Sequence, residues 1–224
     1  MKKIAIIVAG GTGTRMESEV PKQFMLLNGL PVLMHTIRKF YACDSSIEIR
    51  IVLPESEIET WNELCNNNNF TIPCQVFPGG ETRFHSVKNG LHDLSPHSLV
   101  AVHDGVRPLV SKDTIARCYT LAETNGSAVP VIPVRESIRK VEGEDSVSEE
   151  RSHYRIVQTP QIFSSEILID AYNLPFEDSF TDDASVVEKA GYKIYLTEGN
   201  EDNIKITTSK DLLIAELLSN NTKE

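Results

Sequence analysis

The sequence predicts an α/β fold in which a mostly parallel central sheet carries helices on both faces. Short aliphatic runs rich in β-branched residues recur along the chain, and most end at a Gly- or Pro-containing turn. Between them lie segments of helical length, several of which begin with Ser, Thr or Pro. Strands that alternate with helices are typical of a parallel sheet, and continuously apolar strands are typical of a sheet covered on both sides. The 224 residues are enough for one Rossmann-like domain, residues 1–224.

The first half of the chain contains the clearest elements. Strands are predicted at 4–8, 49–53, 74–77, 99–103 and 128–133. Helices are predicted at 31–41 with Pro31 in the first position, at 55–65, from Arg83 to about Leu94 after a Thr82 cap, and from Ser111 to about Glu123.

The second half repeats the pattern after an interruption. Helices are predicted at 164–172 and 183–190, a strand at 193–196, and a last helix after a Ser209 cap. The interruption, at about 134–158, is polar and charged, with a turn at 142–145 between weakly alternating flanks at 137–141 and 154–157. We interpret it as an extended β-arm. Because an isolated two-stranded arm is marginally stable in water, we expect it to pack on a second subunit of a homodimer. A surface hairpin without a partner is the alternative.

Charge and composition narrow the function. The formal net charge is −10, from 22 Lys and Arg against 32 Asp and Glu, which argues against a nucleic-acid partner. An anionic small substrate would need a local group of Arg and Lys. The four cysteines lack CxxC spacing, so neither a zinc site nor a redox motif is indicated, and free thiols in a reducing compartment are expected. We find no apolar run of about 20 residues and no signal-peptide pattern, so we expect a cytoplasmic protein without membrane spans.

A glycine-rich loop follows the first predicted strand. It reads GGTGTRM over 10–16, and it fits neither a Walker A loop nor a dinucleotide fingerprint, which needs Gly where Met16 stands. Glycines let backbone N–H groups turn toward a phosphate, although a tight strand-to-helix turn has the same composition. Two cations, Arg15 and Lys22, lie seven residues apart, with Pro21 fixing the chain before the second. Separated positive charges beside such a loop suit a polyphosphate.

Six short motifs in order carry a family resemblance over nearly the whole chain. They are AGGxGxRM with PKQ (9–16 and 21–23), GGETRFHSV (79–87), VHDGVRP (102–108), QTPQ (158–161), TDDA (181–184) and NIKIT (203–207). The first resembles the nucleotidyltransferase signature. Together they resemble the 2-C-methyl-D-erythritol 4-phosphate cytidylyltransferases of the non-mevalonate isoprenoid pathway. The resemblance implies transfer of CMP from CTP to a sugar-alcohol phosphate with release of pyrophosphate.

The same resemblance implies a role for each matched residue. Arg15 and Lys22 would be catalytic and hold the CTP phosphates. CTP would be bound by Ala9, Gly10, Gly11, Gly13, Gly80, Ser86, Asp104, Gly105 and Lys205. The acceptor would be bound by Arg107, Ser137, Arg151, Thr159 and Thr181, with Arg151 reaching from the arm into the partner subunit's site. Asp104 would take a sugar hydroxyl or help to hold Mg²⁺ or another divalent cation.

Each of these residues has a simpler alternative. A single Lys or Arg is usually a solvated surface charge, Ser86 suits the first turns of a helix, and Asp104 suits a turn. A hydrolytic triad of His103, Asp104 and Ser86 is disfavoured because no nucleophile-elbow sequence accompanies it. Three positions depart from the family pattern. Gly105 stands where Ala is frequent, Ser137 where Thr is frequent, and Thr14 where a second basic residue is frequent.

The nearest competing function is that of the ribitol-5-phosphate cytidylyltransferases, a sister family with the same loop. Hexose 1-phosphate nucleotidyltransferases share the first motif but are usually longer. A non-catalytic nucleotide-binding module would not need both Lys22 and Lys205, which are present.

Overall fold

The computed structural model describes residues 1–10 and 20–221. The strands are β1 (Lys2–Val8), β2 (Leu26–Leu27), β3 (Leu30–Pro31), β4 (Glu48–Leu53), β5 (Gln75–Pro78), β6 (Ser98–Asp104), β7 (Ser127–Pro133), β8 (Ile138–Glu142), β9 (Asp145–Glu149), β10 (Arg155–Val157), β11 (Gln161–Ser164) and β12 (Leu196–Glu198). The helices are α1 (Val32–Cys43), α2 (Ile58–Asn67), α3 (Arg83–Gly90), α4 (Lys112–Asn125), α5 (Ser165–Ala171), α6 (Asp183–Lys189) and α7 (Ser209–Asn221). Short 3-10 turns occur at Lys22–Phe24, Glu55–Glu57 and Arg151–His153.

Strand β1 lies at the centre of the main sheet. It pairs in parallel with β4 on one side and with β6 on the other, and β5 continues the parallel arrangement beyond β4. Beyond β6 lies β11, which runs antiparallel to both β6 and β7. β12 pairs with β7 in parallel, and β10 pairs with it antiparallel. The predicted mostly parallel sheet is therefore confirmed.

Apolar residues pack on both faces of this sheet, as the continuous hydrophobic runs predict. Ala5 and Ile7 of β1 belong to a cluster with side chains of α1, α2 and α4. Ile4 and Ile6, whose side chains alternate with those two, belong to a second cluster with α3, α5 and α6. Helices therefore cover both faces, and the strand ends remain open for a site.

The predicted helix starts at Thr82, Ser111 and Ser164 are confirmed by their capping hydrogen bonds. Each hydroxyl accepts the backbone N–H three residues ahead, at 3.1 Å for Ser111 and 3.4 Å for the other two. Helix α4 ends at Gly126 with φ of +81°, the left-handed conformation that favours glycine at this position.

The arm differs from its prediction in one respect. The turn at 142–145 is confirmed, but the strand after it is β9, which pairs with β8 as a separate two-stranded sheet. The predicted second arm strand, 154–157, instead contains β10 and joins the main sheet beside β7. Polar and apolar residues alternate too weakly in this segment to show whether it pairs with a strand of the arm or with a strand of the main sheet.

Other boundaries also differ. Strand β11 was not predicted, because its four residues lie between two turn-like segments and adjoin the Ser164 helix cap. Pro31 precedes α1 as its N-cap and does not take its first helical position. The helix predicted to reach about Leu94 ends at Gly90, and the last predicted strand lies at Leu196–Glu198. None of these changes moves the sheet edge at which the motifs lie.

Candidate active site

Four parallel strands end at one edge of the sheet and place the sequence motifs there. β1 leads into Ala9 and Gly10, β5 into Gly79, and β6 ends at Asp104. Backbone hydrogen bonds join these ends: Gly105 donates to the Val8 carbonyl at 2.8 Å, and Gly79 donates to the Leu53 carbonyl at 2.6 Å. Open α/β sheets bind ligands outside the carboxyl ends of their strands. A pocket of about 620 Å³ opens here.

One wall of this pocket is the loop before α3. The Gly80 N–H donates to Ser86 Oγ at 3.1 Å, and Ser86 Oγ donates to the Thr82 carbonyl at 2.9 Å. The backbone leaves no room for a side chain, because a Cβ on Gly80 would lie 2.4 Å from that of His85. A Cβ on Gly10 would approach Ser86 Oγ to 3.2 Å. Gly10, Gly80 and Ser86 therefore form one close-packed wall with backbone groups near its surface.

Asp104 lies on the pocket floor among three cations. Lys205 Nζ and Arg107 Nε each lie 3.1 Å from Oδ2, and Arg83 Nε lies 3.6 Å from Oδ1. Burial opposes ionisation of this carboxyl, but the charges of Arg83, Lys205 and Arg107 outweigh it and hold its pKa well below the ordinary range. Asp104 is therefore an anion at neutral pH that orients cations toward the cavity.

Arg83 is also held from the opposite side. Its Nη1 and Nη2 donate to the two carboxylate oxygens of Asp183 at 2.9 and 2.7 Å. The hydroxyl of Tyr172 donates to the same carboxylate at 2.6 Å. Asp183 is fully buried, so a bidentate pair is the geometry that can compensate its desolvation.

A second cavity, of about 280 Å³, lies beside the first. Arg83, Asp104 and Lys205 line both cavities and form the boundary between them. The other lining residues of the second cavity are Arg107, Val157, Gln158, Thr159, Gln161, Thr181 and Asp182. The site is therefore a larger pocket and a smaller, polar cavity that meet at two cations and one carboxylate.

A scan against protein-family models matches residues 3–221 to the family described as IspD, 2-C-methyl-D-erythritol 4-phosphate cytidylyltransferase. The chain belongs to this family. The resemblance read from the six motifs is thereby confirmed.

Individual members of the cytidylyltransferase family match along their full lengths. The enzyme of that name from Phocaeicola vulgatus is 50% identical over 218 residues, which cover 97% of this chain and 100% of the relative. A crystal structure from Thermus thermophilus is 32% identical with a TM-score of 0.79, covering 98% of this chain and 100% of the other. A structure of the corresponding synthase from Anaerococcus prevotii is 25% identical with a TM-score of 0.82, covering 98% and 99%.

The fold brings together most of the residues to which the cytidylyltransferase motifs gave roles. The large pocket is lined by Ala9, Gly10, Lys22, Gly80, Ser86, Asp104 and Lys205. Gly105 is buried directly beneath it, and Arg107, Thr159 and Thr181 line the smaller cavity. Gly11, Gly13 and Arg15 lie outside the described residues, as does Thr14.

Two predicted acceptor contacts lie elsewhere in this chain. Ser137 and Arg151 are both exposed, belong to the arm region and line neither cavity. Arg151 Nη1 donates to the Arg135 carbonyl. Thr159 has a more internal position than a contact residue needs, because its hydroxyl accepts the Asp104 N–H at 3.1 Å and lies 3.0 Å from His103 Nδ1.

The sequence reasoning missed the residues that hold the family motifs together. Arg83 and Asp183 stand within two quoted motifs, but nothing in their spacing shows that residues 100 positions apart pair. Asn203 is another residue that holds two motifs together, since its Nδ2 donates to the Thr159 carbonyl at 2.8 Å. The only available signal was their occurrence inside the quoted motifs.

Two further observations bear on cofactors and membranes. Within residues 1–10 and 20–221, no three or more His, Cys, Asp or Glu side chains form a group able to hold a metal ion by themselves. In the same part of the chain, no helix combines the length and the apolar character needed to cross a bilayer.

Proposed function

We propose that this chain transfers CMP from CTP to 2-C-methyl-D-erythritol 4-phosphate, giving 4-diphosphocytidyl-2-C-methyl-D-erythritol and pyrophosphate, a step of non-mevalonate isoprenoid synthesis. The observation that carries the proposal is the pair of cavities that meet at Arg83, Asp104 and Lys205. Two anionic substrates must approach each other in this reaction, and the shared boundary places positive charge between them.

The larger pocket suits CTP. Its glycine wall brings backbone groups and Ser86 close to the position of the base, and a side chain at Gly80 would clash with His85 and displace this wall. Lys22 begins the 3-10 turn Lys22–Phe24 and lines this pocket, and Lys205 lies in the same lining beside Asp104. These two cations, with Arg15 as the family motif implies, would hold the triphosphate. Catalysis is assigned to Arg15 and Lys22.

The smaller cavity suits the acceptor. Arg107 supplies a cation for its phosphate and Thr181 a hydroxyl group, while Thr159 lines the cavity with its own hydroxyl bonded to Asp104 and His103. The remaining contacts, Ser137 and the partner subunit's Arg151, would come from the arm region. A bidentate Arg is the side chain best suited to a phosphate in a partly buried site.

The chemistry needs no general base. The second pKa of a phosphate monoester is near 6, so the acceptor is largely a dianion at pH 7. Its oxygen attacks the α-phosphorus of CTP in line, the bond to the β-phosphate bridging oxygen breaks, and pyrophosphate leaves. Repulsion between the anions is the main obstacle, and positioned cations reduce it.

A divalent cation fits this site as a partner of the triphosphate. Among the described residues, Asp104 Oδ1 has only the longer contact, 3.6 Å to Arg83, while Oδ2 takes two cations at 3.1 Å. Mg²⁺ is usually bound by one or two carboxylates together with substrate phosphates and water. Asp104 would therefore be its protein ligand, and the ion would neutralise charge on the phosphates.

The arm supports a homodimer. Its hairpin leaves Val141 68% and Val147 58% exposed, and Tyr154 beyond it 42% exposed. Apolar side chains on an isolated hairpin gain from burial against another surface. We infer that residues 1–224 form one catalytic domain whose arm, about 134–158, carries Arg151 into the partner's acceptor cavity. We expect the enzyme to work in the cytoplasm, where its nucleotide substrate is available.

The test measures pyrophosphate release from CTP and Mg²⁺ with methylerythritol 4-phosphate and, in parallel, ribitol 5-phosphate. We expect turnover with the first, and a loss of about 10²-fold in kcat/KM for Lys22→Met. The matched control is Lys189→Met, since Lys189 pairs with Glu177 on the surface. Turnover with ribitol 5-phosphate alone would move the chain's activity to that of the sister family. No pyrophosphate release with either acceptor would contradict the proposal.

A further inference from the structure

His103 is buried beside the site without lining it. It is the residue before Asp104 in β6 and has no exposed surface. Its ring packs edge-on against Phe40, with 5.0 Å between ring centroids. It is absent from the linings of both cavities. Any influence on the reaction must therefore pass through neighbouring residues.

Both imidazole nitrogens have a partner. Nε2 lies 3.1 Å from the carbonyl oxygen of Arg107, and Nδ1 lies 3.0 Å from Thr159 Oγ1. A carbonyl only accepts, so Nε2 carries the ring proton. Thr159 Oγ1 accepts the Asp104 N–H at 3.1 Å, which leaves its own proton for Nδ1. The neutral Nε2–H tautomer satisfies every one of these contacts.

These bonds belong to a closed ring of four residues. His103 donates to Arg107, and Arg107 Nη1 donates to the Asn203 carbonyl at 2.7 Å. Asn203 Nδ2 donates to the Thr159 carbonyl at 2.8 Å, and Thr159 donates to His103. The ring joins the turn after β6, the segment before β11 and the 203–207 motif. Two of its members, Arg107 and Thr159, face the smaller cavity.

We propose that His103 is a positioning residue for the acceptor, because its neutral imidazole fixes the Arg107 turn relative to the Thr159 segment. The proposal rests on the proposed function, which assigns the acceptor phosphate to Arg107. Loss of the imidazole lets the Arg107 main chain move while the glycine wall of the nucleotide pocket stays in place. Because Arg107 and Thr159 line the smaller cavity, the effect falls more on the acceptor than on CTP.

Three variants separate the two bonds. His103→Gln can supply a donor near the position of Nε2, His103→Asn can supply an acceptor near that of Nδ1, and His103→Phe supplies neither. Losing a buried hydrogen bond costs about one power of ten in affinity. We therefore expect His103→Phe to raise the KM for methylerythritol 4-phosphate about tenfold or more, with the KM for CTP within about twofold of wild type. His103→Gln should retain most of the acceptor affinity, and His103→Asn less.

Thermal unfolding of each variant provides the control for folding. If His103 had a merely structural role, its loss would lower the fraction of active enzyme. The two KM values would then change alike, or neither would change. Either result, or an unchanged acceptor KM in His103→Phe, overturns the proposal.

Imidazole ¹⁵N resonances of the wild-type protein at pH 7 test the two His103 hydrogen bonds without an activity measurement. We expect a protonated Nε2 and an unprotonated Nδ1 for His103. An Nδ1–H tautomer or a charged ring contradicts the proposal. Failure of the wild type to release pyrophosphate would instead overturn the proposed function. The resonances would still show whether His103 makes the two hydrogen bonds.

Discussion

Arg83 and Asp183 form a bidentate ion pair between the first residues of two helices. The guanidinium of Arg83, at the start of α3, donates to both oxygens of Asp183, at the start of α6, at 2.9 and 2.7 Å. Helix α3 carries Ser86 of the larger pocket, and α6 follows Thr181 of the smaller cavity. The pair therefore fixes the walls of the two cavities relative to each other.

Asp183→Asn should destabilise the fold strongly. Asp183 is fully buried, and its loss as an anion leaves the partly exposed Arg83 with only the longer Asp104 contact at 3.6 Å, which should cost about 3 kcal/mol. Urea unfolding measures the difference from wild type. Glu177→Gln is the matched control, because its pair with Lys189 lies on the surface and should contribute little to stability. Equal effects of the two substitutions would show that the buried pair has no special importance.

Ser86→Ala should weaken CTP binding. The substitution removes the acceptor of the Gly80 N–H, which fixes the loop before α3, and such a hydrogen bond contributes about 1 kcal/mol. We expect the KM for CTP to rise about fivefold while the acceptor KM stays nearly constant. Steady-state kinetics with each substrate varied in turn measures this. Ser179→Ala, an exposed serine that bonds only to Glu177, should leave both KM values unchanged.

Complementation between two inactive variants should reveal the arm contact. In a mixed dimer of Lys22→Met and Arg151→Ala subunits, one site receives its own Lys22 and the partner's intact Arg151. Random mixing makes half the dimers mixed, each with one intact site, so roughly a quarter of wild-type activity should return. Mixing after co-refolding and measuring pyrophosphate release tests this. No recovery, despite proven subunit exchange, would show that Arg151 does not act across the dimer.

Gly105→Ala should cost stability, although Ala is frequent at this family position. A Cβ on Gly105 would lie 3.0 Å from Ala9 Cβ and 3.2 Å from both Leu33 Cδ1 and the Val8 carbonyl. Overpacking of a tight core costs about 1 kcal/mol or more. Thermal unfolding of Gly105→Ala, Ala9→Gly and the double variant forms a cycle. We expect the double variant to recover part of the loss, and strictly additive effects would contradict the clash between these two positions.

The fold was predictable where one local feature of the sequence determined the type and position of a strand or helix. The strand at 4–8 is apolar on both faces because it lies at the sheet centre, and Thr82, Ser111 and Ser164 marked helix starts by their capping chemistry. Strand β11 escaped prediction because Gln161–Ser164 is short and antiparallel. Strand β10 was assigned to the wrong partner, since pairing is decided by tertiary contacts that alternation alone does not encode.

The site was predictable in outline for a similar reason. Glycines, Lys22 and Asp104 follow strand ends, and parallel strands bring those ends together. The Arg83–Asp183 pair and the ring through His103 were not predictable, because each joins residues far apart in the chain through side-chain geometry. In the proposed homodimer, arm residues such as Arg151 act on a second subunit, and a single chain would not position them.

The central claim, transfer of CMP onto the acceptor's phosphate oxygen, has one direct measurement. The enzyme is incubated with CTP, Mg²⁺ and methylerythritol 4-phosphate whose non-bridging phosphate oxygens carry ¹⁸O. The masses of both products are then measured by mass spectrometry. If the acceptor oxygen attacks the α-phosphorus, the cytidine diphosphate product retains all the label and the pyrophosphate has none. Label in the pyrophosphate, or release of free CMP with unchanged acceptor, would contradict the account.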